Sequence, residues 1–340
     1  MTTPVGVAML GCAHTSHAWS YARALTASAN ARLVGVYDAD PRLAAPLVAD
    51  FGVAYSPDAA ELVASAAVDA VLVCSATVEH RGLVELAAAH GCSVLCEKPI
   101  ATTLEDAVAT VDACRAAGVQ LQIAFVTRFH PLVQEVRAAV AAGDLGDLIS
   151  MVGGNRGRPP RPPAYPPWIT DRAQSGGGAL LDHSVHLTDV MRHLSGSEVV
   201  RVAAEVDSRM WDIGVDDVAL MSLVFDSGMA ASVDPSWSVP ADNPWDYDFY
   251  LRILGTGGSL SIDDLGASLQ LVSSRTTRGL RLVPFGVDVD ALMIEGFLGS
   301  VRAGQVLSPC ADGDDGVRAL EIALAGYDAA AAAAPVTLPR

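Results

Sequence analysis

The chain has 340 residues, 51% of them hydrophobic and 18% charged, and a formal net charge of −17. That length accommodates two domains, and that composition a sizeable core, which excludes a disordered chain. The acid excess repels phosphate backbones and anionic lipid surfaces, so neither nucleic acid nor a membrane is expected as a partner. No apolar run reaches membrane-spanning length, and Val5 to Leu10 has no basic residue before it, so it makes a poor signal peptide. Cys12, Cys74, Cys92, Cys96, Cys114 and Cys310 form no C-x-x-C pair, which points to reduced thiols in a cytoplasmic protein. No residue set has metal-ligand spacing, and no metal is expected.

In chain order, Val5 to Leu10 reads as a buried strand, followed by the turn Gly11-Cys12-Ala13-His14-Thr15-Ser16-His17 and a helix from Trp19 to Ala27. A second strand, Leu33 to Tyr37, ends at Asp38. Strand, tight turn, helix, strand and acid are the layout of a dinucleotide-binding unit. There a pyrophosphate rests on the helix N-terminus and the acid takes ribose hydroxyls. The glycine signature is reduced to Gly11, Ala13 and Ser16, so a plain βα turn is the competing reading. His14 and His17 are either donors near a phosphate or capping and packing residues.

The alternation continues with a helix from Pro41 to Phe51, a short strand at Val53 and a helix from Pro57 to Ser65. A buried strand from Val68 to Cys74 runs into Ser75-Ala76-Thr77, and His80 opens the next helix. The strand Ser93 to Cys96 ends in Glu97-Lys98-Pro99. Lys98 is the only lysine in a chain whose other basic side chains are arginine. A lysine amine, unlike a guanidinium, can be tuned by burial and used in chemistry. Gly11, Asp38, Ser75, Thr77 and Lys98 all fall at the carboxyl ends of strands, where open α/β sheets bind ligands. A helix from Leu104 to Ala117 and a strand from Gln120 to Ala124 complete a doubly wound domain at residues 1–124.

Residues 125–340 read differently. Arg128 to Pro131 opens a helix to about Ala142, and a strand from Leu148 to Gly153 follows. Six of the nine residues from Pro159 to Pro167 are proline, a stiff strap flanked by Arg156, Arg158, Arg161 and Arg172 with Trp168 beside it. It is either a surface loop or a lid that brings cations and an aromatic face to a polar substrate. Gly176, Gly177 and Gly178 leave backbone room beside a ligand. Asp182 is expected to start a helix, on which Asp182, His186 and Asp189 share one face at i, i+4 and i+7. A carboxylate one turn from an imidazole can fix its tautomer and raise its basicity, which suits a general base. Period-two segments at Val199–Val206, Asp217–Phe225, Met229–Val239, Asp248–Leu254, Ser259–Ile262, Ser268–Val272 and Leu280–Val283 imply a mostly antiparallel sheet. Two helices, Val289–Arg302 and Gly313–Ala333, close the chain.

The order of these motifs resembles the glucose–fructose oxidoreductase / inositol dehydrogenase / MocA (Gfo/Idh/MocA) family over nearly the whole chain. Glu97-Lys98-Pro99 and Gly176-Gly177-Gly178…Asp182…His186…Asp189 carry the resemblance, with Ser75-Ala76-Thr77…His80 and Arg128-Phe129…Pro131 in support. The resemblance implies a Rossmann domain followed by an α/β domain with a large open sheet, assembled as a homodimer or homotetramer. It implies bound NAD(H) or NADP(H) and oxidation or reduction at a hydroxyl or keto carbon of a sugar or polyol. It makes Lys98, Asp182 and His186 the catalytic set, and the bond before Pro99 is often cis in the family. Asp38 favours NAD(H) over NADP(H), because a carboxylate accepts ribose hydroxyls and repels a 2′-phosphate. Gly11, Ala13, His14, Ser16, Asp38, Ser75, Thr77, His80, Glu97 and Lys98 are the candidate cofactor contacts. Arg128, Trp168 and His183 are the candidate substrate contacts, although a helix neighbour of Asp182 is expected to point away from it. Arg156, Arg158 and Arg161 hint at an anionic substrate. A redox-neutral, glycosidase-like use of NAD and a non-catalytic dinucleotide sensor are the competing classes.

Overall fold

The computed structural model describes residues 3–158, 160, 165–240, 242–243, 247–263, 268–272, 280–284 and 286–339. The first sheet is built from β1 (Val5–Leu10), β2 (Ala31–Tyr37), β3 (Tyr55–Ser56), β4 (Ala70–Val73), β5 (Ser93–Cys96) and β6 (Leu121–Ile123). β1 and β4 are buried along their full length, as expected for central parallel strands covered on both faces. The helices α1 (Thr15–Ala27), α2 (Pro41–Phe51), α3 (Ala59–Val63), α4 (His80–Ala89) and α5 (Leu104–Ala117) alternate with these strands. Local chemistry sets their ends. Asp40 caps α2 through the Arg42 amide and Pro41 begins it, while Gly52 stops it in the left-handed region.

The second sheet uses β7 (Leu148–Gly157), β8 (Val199–Asp207), β9 (Val218–Phe225), β10 (Ala230–Ser236), β11 (Tyr247–Gly255) and β12 (Ser259–Asp263). The helices of this half are α6 (Pro131–Ala142), α7 (Arg172–Ser175), α8 (Ala179–Ser195), α9 (Val289–Ala303) and α10 (Gly313–Ala332). β13 (Ser268–Val272) and β14 (Leu280–Pro284) form a separate hairpin. Two short strands, β15 (Ala311–Asp312) and β16 (Val336–Thr337), finish the inventory. The first sheet runs β15-β6-β5-β4-β1-β2-β3 and the second β12-β11-β7-β10-β9-β8-β16. The second sheet is antiparallel except at β7–β10, which pair parallel.

The chain does not stay on the far side of the 124/125 boundary. β15 pairs antiparallel with β6 at the edge of the first sheet. Met293, Ile294, Phe297 and Leu298 of α9 join the core formed by β1, α1 and α2. The largest core cluster runs from Leu10 and Val73 through Leu180 and Leu187 of α8 to Met221 of β9. One continuous apolar layer therefore holds α8 against the carboxyl end of the first sheet. Among the described residues, no helix is long and apolar enough to cross a membrane.

Candidate active site

Gly11 follows β1 with a φ of +84°, and a Cβ there would lie 2.4 Å from the Cβ of Ser75. Only glycine fits. Its amide donates to the Tyr37 carbonyl, while the Cys12 and Asp40 amides donate to the two carboxylate oxygens of Asp38 at 2.6 and 2.8 Å. The acid is thereby fixed between the turn and the end of β2. A cavity of about 310 Å³ opens there, walled by Gly11, Tyr37, Asp38, Val78 and Glu79. Burial, then Asp38, raises the pKa of Glu79, so two carboxylates share this pocket. Glu79 was not among the residues read from the sequence. A cradle that a Cβ would fill, at a helix N-terminus and beside an anchored carboxylate, fits a dinucleotide.

The other cofactor candidates divide. Ala13 is buried, and its carbonyl accepts from the Trp168 indole at 3.0 Å. His14 is buried and stacks on His17, with ring centroids 3.7 Å apart. Its Nδ1 has no partner among the described residues. Burial, then His17, lowers its pKa to about 3. Ser16 lines the larger cavity described below, Thr77 lines a small one beside Trp168, and Ser75 backs Gly11. His80 and Glu97 face neither cavity. The His80 ring lies 3.0 Å from the Pro99 carbonyl and 3.4 Å from that of Ser75. Burial lowers its pKa, so it ties two turns together as a neutral ring. Glu97 points behind β5, where one oxygen lies 2.8 Å from His17 and accepts from Tyr21 at 2.6 Å. Burial opposes its charge, but His17, His14 and Lys98 outweigh burial and hold it ionised.

The Lys98–Pro99 bond is cis, and Lys98 projects from the end of β5 toward α8. Asp182 does not start α8, which begins at Ala179. The glycines before it serve that start. A Cβ on Gly177 would meet the Tyr327 hydroxyl at 2.2 Å, and one on Gly178 the Asp216 carbonyl at 2.0 Å. Asp216 then accepts from the Gly178 and Leu180 amides and acts as a remote N-cap. Asp182, in the first turn, receives the Lys98 ammonium at 2.5 Å on Oδ1. Its Oδ2 lies 3.2 Å from Nε2 of His183 and accepts from the Trp237 indole at 3.3 Å.

The i, i+4, i+7 face therefore does not act as one unit. Asp182 orients Lys98, and no hydrogen bond to His186 is among its contacts. His186 packs edge-on against Phe125, and its Nδ1 has no partner among the described residues. Burial, then Lys98, holds its pKa well below the ordinary imidazole value. Asp189 is sealed in the core, where it takes Arg128 bidentately at 2.6 and 2.7 Å. A second carboxylate, Asp315, lies 2.9 Å from Arg128. Arg128 is thus a buried cross-link and not a substrate contact. His183, expected to turn away, faces the cavity.

That cavity measures about 500 Å³ and gathers Lys98, Asp182, His183, His186, Asn155 and Arg158 on its walls. Burial disfavours the Lys98 ammonium, but Asp182 and Glu97 outweigh it and raise its pKa. Trp168 reaches the edge of this region through the small cavity it shares with Thr77, Lys98 and Asp182. Arg156 pairs with Asp248 at 2.7 Å, and Arg172 stacks over Tyr327, so neither lines the site. Pro159 and residues 161–164 of the strap, Arg161 among them, lie outside the described residues. Among the described residues no group of three His, Cys, Asp or Glu side chains could hold a metal ion.

Residues 5–125 match the oxidoreductase family with an NAD-binding Rossmann fold, and residues 133–261 the Gfo/Idh/MocA C-terminal domain. A myo-inositol 2-dehydrogenase of Thermotoga maritima is 30% identical over 80% of this chain and 79% of its own. An NADP(+)-dependent D-xylose 1-dehydrogenase of Haloferax volcanii is 28% identical over 82% of each chain. The crystal structure of a putative myo-inositol dehydrogenase from Sinorhizobium meliloti superposes with a TM-score of 0.84, at 26% identity over 98% of this chain and 100% of that one. The chain belongs to the Gfo/Idh/MocA oxidoreductase family, whose sugar and polyol dehydrogenases it resembles over most of its length.

Proposed function

We propose that the protein transfers hydride between a CH–OH carbon of a sugar or polyol and NAD(H). The observation that carries this reading is a neutral His186 and a charged Lys98 on the walls of one cavity. Bound in the Gly11–Asp38 cradle, a nicotinamide dinucleotide supplies the hydride acceptor. His186 takes the hydroxyl proton, since its depressed pKa keeps the ring unprotonated at neutral pH. Lys98 has three N–H donors, and Asp182 takes two, on Oδ1 at 2.5 Å and on its backbone carbonyl at 3.3 Å. The third is left for the cavity and stabilises negative charge on the reacting oxygen. Asp182 fixes the ammonium in place and keeps it protonated.

Asp38 and Glu79 together favour NAD(H), because a 2′-phosphate would enter a pocket that already holds two carboxylates. Ile149, Leu220 and Leu254 stand exposed on the second sheet, which supports assembly through that sheet into a dimer or tetramer. The test is the absorbance of reduced nicotinamide when the protein meets NAD⁺ or NADP⁺ with a panel of sugars, inositols and sugar acids. A rise with NAD⁺ and one substrate class is expected. No rise from protein that binds NADH would replace this reading with a redox-neutral use of the cofactor.

A further inference from the structure

We propose that the cavity takes an amino sugar or an aminocyclitol, and that Asp290 is the residue that binds its ammonium group. The proposal rests on the hydride-transfer reading of this cavity and names its substrate class. Asp290 lies in the first turn of α9 and lines the cavity beside Ser16, His17 and Ser20 of α1. Among the described residues its carboxylate has one hydrogen bond, from the Ser20 hydroxyl to Oδ2, and no ion pair. The acids around it differ. Asp182 takes the Lys98 ammonium and Asp288 the Arg23 guanidinium. Glu97 has His17 at 2.8 Å and the Tyr21 hydroxyl at 2.6 Å. Starting the helix does not account for Asp290 either. Asp288 caps α9 through the Ala291 amide at 3.0 Å, and no amide is among the contacts of Asp290.

The surroundings disfavour a lone negative charge at this position. Burial raises the pKa of Asp290, and Glu97 and Asp288 add to the effect, against the Ser20 hydroxyl and His17. A ligand hydroxyl completes a hydrogen bond there but leaves the charge unbalanced. An ammonium supplies the donor and the opposite charge together. The basic side chains on the cavity wall are engaged elsewhere. Lys98 is held by Asp182, and Arg158 donates to the Asn243 carbonyl. His183 lies between the Asn155 carbonyl at 2.8 Å and Asp182 at 3.2 Å, and His130 accepts from the Leu132 amide. Burial keeps His14 and His186 neutral. The Ser20–Asp290 bond joins α1 to α9, whereas Lys98–Asp182 joins β5 to α8. The acid and the hydride-transfer set therefore stand on different parts of one wall. A ring whose CH–OH carbon lies at Lys98 and His186 presents another substituent to Asp290, so the amine belongs on a carbon that does not react.

The experiment titrates matched ligands into the enzyme–NADH complex by calorimetry: D-glucosamine and 3-amino-3-deoxy-D-glucose against D-glucose, and scyllo-inosamine against scyllo-inositol. The N-acetylated form of each amine is the control that keeps the nitrogen and removes its charge. At least one free amine should bind about tenfold more tightly than its hydroxyl counterpart, and its acetylated form should lose that advantage. Asp290→Asn keeps the shape of the side chain and removes its charge, and should bring the pair to within about threefold. The wild-type comparison needs no variant, so it decides the matter even where Asp290→Asn does not fold. Amines binding no tighter than their hydroxyl partners, an acetylated form binding as well as its amine, or a preference unchanged in Asp290→Asn would each overturn the proposal. Failure to bind NADH would instead overturn the functional reading. The titrations are repeated without dinucleotide, so the proposal is tested in that case as well.

Discussion

Two ion pairs hang from one helix. Lys98–Asp182 and Arg128–Asp189 both join the carboxyl end of the first sheet to α8, and their acids lie seven residues apart. Arg128 is 4% exposed against an Asp189 at 0%, and its planar fork is filled by carboxylates. Lys98 is equally buried, but its partner keeps 31% of its side-chain surface open to the cavity. The difference lies in donor geometry. A guanidinium bound bidentately inside a core is spent on structure. An ammonium held by Oδ1 and the backbone carbonyl of one residue, Asp182, keeps a third donor for a ligand. On the proposed reading, the two pairs separate holding the fold from handling charge during reaction.

Breaking the reactive end should have the largest effect. His186→Asn should lower kcat by about 10²–10⁴-fold in steady-state assays, while NADH affinity by fluorescence titration stays at the wild-type value. The structural end should fail in another currency. Arg128→Leu leaves Asp189, whose pKa burial already raises to about 6, without its partner in the core, and urea denaturation should report a loss of about 3–5 kcal/mol.

His14 sharpens the comparison through pH. Its folded pKa is about 3, against an ordinary 6.5. Between those values the unfolded chain binds a proton that the native protein does not, so stability falls as pH drops through that window. The expected loss at pH 5 relative to pH 8 is about 2 kcal/mol, and His14→Gln should abolish this part of the pH dependence. The smallest effect is expected at Glu79. Removing one of two like charges in the Gly11–Asp38 pocket should improve NADPH affinity about fivefold in Glu79→Gln, as roughly 1 kcal/mol of screened repulsion is relieved. Unchanged discrimination would leave Asp38 as the only selector.

The sequence carried much of this because strands and turns are local. The alternation that places Gly11, Asp38, Ser75 and Lys98 on one edge follows from periodicity and turn residues, and the sheet bears it out. What escaped was set by distant contacts. Nothing near Arg128 signals Asp189, 61 positions away. A face shared by Asp182, His186 and Asp189 on a helical wheel does not reveal that its two ends meet a cavity and a core. Gly177 and Gly178 read as space for a ligand, whereas the space belongs to Tyr327 and Asp216. Trp237 lies at the end of β10, and only sheet pairing brings it to Asp182. The return of α9 and β15 to the first sheet is likewise invisible to periodicity. Glu79 was within reach, since it sits in the Ser75–His80 turn, but an acid there also reads as a helix-start residue.

The most direct measurement sets Lys98→Met beside Arg128→Leu in the same two assays, turnover and urea denaturation. Lys98→Met should lose about 10²–10³-fold in kcat/KM with a denaturation midpoint near wild type. Arg128→Leu should show its main loss in the midpoint. An active Lys98→Met variant, or an Arg128→Leu variant as stable as wild type, would contradict the assignment of one pair to reaction and the other to structure.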